Sequence, residues 1–590
     1  MASLSPTSPC KEPEIGNDNK YTQHDLSLDA LLEYPTEEEF KTLRRVPDTL
    51  PWRMYLVAYT ELAERFSYRG CAVVFTNFIQ QPLPAGSRTG AGGLRGQSGA
   101  LGMGQMASTG LVTFNNFWSQ VTPLAGGYIA DAYLGRFSTI VYSVYIILLG
   151  HIILIISAIP QVIVNKPGAL ACFIISIIIM GIGAGGFKSN VLTLIAEQRD
   201  SRTYIRTEAN GERVIVDPGL TVQRIYMCYY LYVAVGSLVG KITMPYAEKF
   251  VGFWLAYTLP TIVLLTVPFL LYFGRNVYVR TLPAGSMLSS CVRLLRYASR
   301  GCWSWNPIRT YRNLKAPDFW ERAKLSNYNE TGGERPIWMT WDDAWVDEIR
   351  RGFKACAVFV WFPIFWLTYN QLNNNLTSQA AAMNTHGLPN DVLQNLEPIV
   401  LIIFIPIFDM ILYPFLQRSG IRFTPIKKIT IGFFLGAGAM AWAAIVQHYI
   451  YKTSPCGKSA ATCKEGTSPI TVWAQAGCYV LIAFSEIFAS IAGQEYAFTK
   501  APKNMRSLVM ALFLLTSAIA YALGEAFVAL SNDPLLIWNY GSMSVLACVS
   551  GIGFWLCFRH LDKEEEELND LREGKLVIQD NSTTTTIEGK

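Results

Sequence analysis

A chain of 590 residues that is 51% hydrophobic and only 16% charged is too apolar for an ordinary soluble protein of this length. Its net charge of +5 is too small to point to nucleic acid, and its apolar residues gather in runs near the roughly 20 needed to cross hydrocarbon. The sequence therefore predicts an all-α membrane protein partnered by the lipid bilayer. No nucleophile–base pair and no metal-ligand spacing stands out, which argues against an enzyme and against any metal or organic cofactor.

In chain order, a polar tail (1–50) without the apolar core of a signal peptide precedes spans at 52–80, 105–130, 137–160, 168–196, 220–246 and 252–274. A polar linker (275–349) separates these from spans at 350–382, 392–417, 427–451, 470–499, 505–531 and 535–559, and a polar tail (561–590) follows. The layout predicts twelve transmembrane helices in two six-helix halves, 51–274 and 350–560. Basic residues collect before the first span (Lys41, Arg44, Arg45, Arg53) and in the even-numbered loops (Arg136, Arg199, Arg202, Arg206, Arg213, Arg418, Arg422, Lys427, Lys428, Lys500, Lys503, Arg506). By the positive-inside tendency both termini are expected in the cytoplasm, in the plasma membrane, with the loop of Cys456 and Cys463 outside. There these two cysteines are disulfide candidates, with free thiols the alternative. Both tails read as mostly disordered. The linker ends in Trp338, Trp341 and Trp345 at i, i+3, i+7, an aromatic stripe that suits either an interfacial helix or one packed on the helix ends.

Chemistry enters in the first span. Glu61, Glu64 and Arg65 stand at i, i+3, i+4, which stacks them on one helical face. A charge at the bilayer centre costs at least about 2.5–3.5 kcal/mol, so the cluster must be paired and face a wet interior, either handling an ion or pinning the helix. In GGYIADAYLGR, Gly126 and Gly127 permit close helix approach, while Asp131 and Arg136 at the following turn read as gate elements able to pair across the half, or as a plain anchor. Lys188 is a lone cation in an apolar span and needs an anion, either the 61/64 carboxylates or a substrate carboxylate. Glu486 is the sole carboxylate deep in the tenth span.

Three of these stretches resemble motifs of the proton-coupled oligopeptide transporters: ELAERFSYRG (61–70), GGYIADAYLGRFSTI (126–140) and EYAFTKAPKNMRSLVMALFLL (495–515). The resemblance implies a major facilitator fold whose halves rock around a midplane site. It also implies that Lys188 serves proton coupling and the peptide carboxylate, and that Glu486 holds the peptide amino group.

The chain departs from the family pattern in several places. Asn370 precedes Gln371 where the family carries Glu, while the eighth span reads Leu396-Glu397-Pro398 in place of Leu-Asn-Pro, so Glu397 either supplies the missing carboxylate or is simply hydrated at a helix mouth. Arg69 replaces an aromatic, and Ala72, on the same face, replaces an arginine whose volume Arg69 can fill. Ser189 replaces a proline, Ala234 an asparagine and Phe513 a tryptophan; His151 reads as a packing residue.

The expected function is proton-driven import of di- and tripeptides, with the proton gradient as driving force. Glu61, Glu64, Arg65 and Lys188 handle the proton; Arg65, Tyr68, Arg69, Lys188, Trp366, Asn370, Glu397, Glu486 and Phe513 line the peptide site. Alternatives are a same-fold transporter of nitrate or a peptide-like metabolite, and a receptor without flux.

Overall fold

The structure is a computed structural model. It describes residues 35–560 except 37–38, 40–41, 94–95, 199–202, 209–210, 217, 277, 279–286, 304, 315, 317, 327–340, 413–414, 416–418, 420–423, 464–465, 495 and 497–505, and also describes 579–580 and 583–584. The expectations for 1–34, for Trp338, for most of 561–590 and for much of the 495–515 motif lie outside the described residues.

The long apolar runs form helices, since a backbone crossing hydrocarbon must satisfy its own hydrogen bonds. The first half comprises α1 (Trp52–Val73), α2 (Phe75–Gln80), α3 (Gly104–Ile129), α4 (Arg136–Ala158), α5 (Lys166–Glu197), α6 (Pro218–Phe250) and α7 (Phe253–Gly274). The linker carries α8 (Met287–Ala298) and leads into α9 (Asp343–Cys356). The second half comprises α10 (Phe362–Tyr369), α11 (Asn375–Ala381), α12 (Leu396–Ile407), α13 (Pro425–Thr453), α14 (Ala476–Glu486), α15 (Arg506–Phe527) and α16 (Leu536–Phe558). Among the described residues nine segments are long and apolar enough to cross a membrane, fewer than the twelve expected. α1, α3 and α6 are long helices at three further expected positions, and they carry buried polar groups such as Glu61, Glu64, Asn115 and Glu248. What lowers their apolarity is turned into the protein.

Small residues set the closest helix contacts. A methyl added at Gly126 of α3 would stand 2.6 Å from Gly186 Cα of α5, so the two backbones touch. Gly127 has no such role, since a Cβ there meets Ser189 at an ordinary 3.6 Å. α5 runs unbroken through Ser189, whose hydroxyl donates to the Gly185 carbonyl at 3.0 Å, as expected of a helix that lacks the family's proline there.

Regular helix fails at three functionally suggestive places. The seventh span passes from α10 through a tight turn (Asn370–Asn373) and a break at Asn374 (φ −138°, ψ −58°) into α11. The tenth widens into a π-turn (Ile487–Ile491) directly after Glu486, and the second does the same at Ala130–Leu134 around Asp131.

The halves meet most tightly at the end remote from the linker. There Thr76 donates to Asn374 (2.9 Å), Ser378 to Gln80 (2.6 Å), Gln97 to Asn390 (3.0 Å), Asn395 to the Lys241 carbonyl (3.2 Å) and Lys249 to the Leu388 carbonyl (3.2 Å). The same end carries a disulfide between Cys456 and Cys463, with Cα atoms 5.5 Å apart.

The opposite end refines two expectations. Trp341 and Trp345 are fully buried and stacked, 6.0 Å between centroids, and Trp341 donates to the Ala323 carbonyl at 3.0 Å. The stripe packs against α8 and Phe319, so the packed-helix reading holds. The N-terminal tail is also not structureless throughout. β1 (Arg45–Val46) pairs in parallel with β3 (Arg213–Val216), which pairs antiparallel with β2 (Tyr204–Thr207). Ion pairs Arg44–Glu212 (3.0 Å), Arg206–Asp48 (3.2 Å) and Arg213–Glu39 (3.0 Å) clasp this sheet, and Thr36 hydrogen bonds hold the Glu39 carboxyl below its usual pKa.

Candidate functional site

α1 presents its charged face inward. Arg65 Nε lies 2.6 Å from Glu61 Oε1 and 3.5 Å from Glu64 Oε2, with both carboxylates sealed from solvent. The i+4 spacing delivers the tighter contact, as helix geometry requires. Tyr229 of α6 donates a further hydrogen bond to Glu61. One guanidinium thus serves two carboxylates.

Lys188 of α5 does not lie against these acids. Its ammonium stands 4.7 Å from the Tyr68 ring centroid, a cation–π seat, with Glu61, Glu64, Arg65 and Arg69 in electrostatic range. Tyr68 is buried and its hydroxyl accepts from Asn115 at 3.2 Å. The ammonium is therefore placed by an aromatic face and keeps its capacity for an anion. Arg69 and Ala72 line one small cleft with Asn115, Asn116, Lys241 and Gln394, so the volume beside Ala72 adjoins Arg69, as the displacement reading requires.

Across the cleft, Tyr369 of α10 donates its hydroxyl to Glu486 Oε2 at 3.1 Å and lies 3.4 Å from Glu397 Oε1. The two carboxyls thus stand close together around one phenol oxygen. Glu397 is 5% exposed, which overturns its reading as a hydrated residue at a helix mouth. Its cationic counterpart is Lys241 of α6, which interacts electrostatically with Glu397 and Glu486, with Arg69 also nearby. Asn370 is not part of this group: it lines a separate cleft with Thr109, Asn116, Gln371, Asn374 and Tyr521.

The other candidates divide. Trp366 donates to Thr516 at 3.2 Å and touches the Tyr369 ring (5.6 Å) at the edge of the acid group. Phe513 is fully buried among Phe359 (5.3 Å) and Phe362 (5.1 Å), so it packs in the core. Asp131 and Arg136 pair with each other at 3.7 Å across their own turn; Gly135 between them has φ 74°, a conformation that suits glycine. His151 is buried between Cys71 (3.7 Å) and Thr261 (3.3 Å), a packing residue as expected. Among the described residues no group of three His, Cys, Asp or Glu could hold a metal ion.

The architecture is that of a solved auto-inhibited POT family peptide transporter, which superposes with a TM-score of 0.67 at 19% identity, covering 91% of this chain and 99% of that one. Peptide transporter PTR_B of Candidozyma auris is 40% identical over 91% of this chain and 87% of its own length. Peptide transporter PTR2 of Saccharomyces cerevisiae is 39% identical over 92% of this chain and 84% of its own. Residues 137–543 match the POT family. The chain belongs to the POT family.

Within this POT transporter unlike charges face each other between the halves: Arg69 and Lys241 of the first half line one cleft, and Lys241 interacts with Glu397 and Glu486 of the second. Sequence reasoning missed Lys241, Tyr229 and Tyr369. Lys241 had a signal, as a lone cation in an apolar span like Lys188. The two tyrosines had none, because a phenol costs little in a helix that faces protein.

Proposed function

We propose that this POT transporter imports di- and tripeptides across the plasma membrane, both termini cytoplasmic, driven by the proton gradient. The observation that carries this reading is the pair of opposed walls, cations on the first half and carboxyls on the second. A zwitterionic peptide fits that field, its carboxylate toward Lys188 and Arg69 and its ammonium toward Glu486. The Glu397 and Glu486 carboxyls share the Tyr369 hydroxyl and stand close together, and a peptide ammonium can settle between them.

Coupling follows from competition on α1. With both acids charged, Arg65 is held by Glu61 and Glu64. A proton on one loosens that clasp and increases the positive field toward the peptide carboxylate, so the two ligands favour each other. The inter-half hydrogen bonds remote from the linker support a form closed to the outside. The cytoplasmic sheet and linker stand at the other end.

Uptake of a labelled dipeptide into vesicles, with and without an inward proton gradient, tests the proposal. Gradient-dependent accumulation is expected. Gradient-independent accumulation removes the symport reading, and no uptake of any peptide favours a receptor or another solute.

A further inference from the structure

At the sealed outer end lies a second pair of acids that neither the peptide site nor the α1 cluster uses. Glu248, near the end of α6, is 2% exposed, and Asp391, in the turn before α12, is fully buried. They come from opposite halves. Both accept from the same nitrogen, Asn77 Nδ2, at 2.9 and 2.8 Å. That nitrogen also points at Asn390 Oδ1 (2.9 Å), so two hydrogens face three acceptors. The amide orientation is set by a reciprocal bond, Asn390 Nδ2 to Asn77 Oδ1 at 3.1 Å. A cation has no place at the centre of these oxygens, because the amide nitrogen occupies it.

The remaining oxygens, Glu248 Oε2 and Asp391 Oδ1, are buried and meet no hydrogen-bond partner among the described residues, while the two bonded oxygens share one nitrogen and so stand side by side. The other titratable or polar groups facing the pair are Ser98, whose hydroxyl bonds Glu248, the Tyr257 and Tyr479 phenols, and Lys249, whose ammonium donates to the Leu388 carbonyl. Among the described residues no cation lies within ion-pair distance of either acid, and two uncompensated carboxylates side by side in a dry interior cannot both stay charged.

We infer that Glu248 and Asp391 form a proton-binding site that latches the outer mouth: one proton held between them joins the halves, and opening separates and hydrates the acids and releases it to the outer water. This rests on the orientation proposed above. The sign is set by linkage: the closed form holds the extra proton, so acid favours closure and the closure is lost as pH rises. The proton enters and leaves on the same side, so the latch adds nothing to the transport stoichiometry. It sets how readily the mouth opens.

The test needs no transport, so it is independent of the uptake assay. Spin labels carried on unnatural amino acids at Val164 and Trp473, exposed at the outer end of opposite halves, report open and closed mouths by electron–electron distances. One proton bound only in the closed form adds up to about tenfold per pH unit to the open-to-closed ratio, beyond the share of the α1 acids. Glu248→Gln and Asp391→Asn should each remove that increment. In the unmodified protein, difference infrared spectra should show a protonated carboxyl absorption disappearing in step with opening. An unchanged pH slope in both variants, a constant carboxyl absorption, or a distribution that follows sodium or calcium instead of pH would overturn the inference.

Discussion

Tyr369 holds Glu486 through a 3.1 Å hydrogen bond while its hydroxyl also stands 3.4 Å from Glu397, so a single phenol spans two carboxyls on different helices. This fixes the rotamer of Glu486 before any peptide arrives. A positioned acid binds an ammonium with less ordering cost than a free one.

Glu486→Gln should therefore weaken peptides with a free amino terminus and affect N-blocked analogues much less. A charge-assisted hydrogen bond is typically worth about 1.5–3 kcal/mol, roughly ten- to a hundredfold in affinity. Competition of blocked and free dipeptides against labelled substrate measures the difference. Equal losses would show that Glu486 does not face the amino group.

Tyr369→Phe tests the positioning role separately. It keeps the ring that contacts Trp366 at 5.6 Å and removes only the shared donor. Affinity for free-amino peptides should fall by less than in Glu486→Gln, about 1 kcal/mol for a neutral hydrogen bond. A loss as large for N-blocked peptides would indicate a packing defect instead.

Glu64→Gln should abolish gradient-driven uptake while peptide counterflow persists. Exchange needs the alternating site but no net proton movement, and Arg65 keeps Glu61 at 2.6 Å in the variant. Parallel assays of uptake and counterflow in vesicles decide it. Loss of both would favour a helix-pinning role for the cluster.

What was legible in the sequence was mostly what lies within one helix or one loop. The Glu61, Glu64 and Arg65 contacts follow from i, i+4 spacing, and the Cys456–Cys463 bridge from a polar loop. Partners that arrive from other helices were not legible: Tyr229 at Glu61, Lys241 at Glu397 and Asn77 at Glu248 depend on packing between elements far apart in sequence. The tryptophan stripe was ambiguous for a different reason. One apolar helical face looks the same whether lipid or protein covers it, and only the contacts of Trp341 and Trp345 with α8 and Phe319 decide. The strand at Arg45 and Val46 escaped notice because a two-residue addition to a sheet edge has no periodicity.

The last prediction concerns Glu397, whose burial favours the first of its two readings, a carboxylate that serves the site. Its positive partner is Lys241, from the opposite half, so Glu397→Gln alone leaves a buried ammonium with less compensation and should impair uptake severely. Lys241→Gln alone leaves Glu397 and Glu486 as two adjacent acids without that cation, and should impair it too. The double variant removes both problems, and contacting groups typically deviate from additivity by about 0.5–3 kcal/mol. It should therefore transport better than the sum of the single losses predicts. Asn370→Glu with Glu397→Asn, which restores the common family pattern, provides the companion measurement. Since Asn370 lines a cleft with Thr109 and Tyr521 to which Glu397 does not contribute, this exchange should not rescue the Glu397→Asn defect. Uptake rates of all variants, normalised to the amount of protein in the membrane, give both results. Additive effects at 241 and 397 would show that the two charges act independently, and full rescue by Asn370→Glu would show that a carboxylate in the seventh-span cleft does the same work.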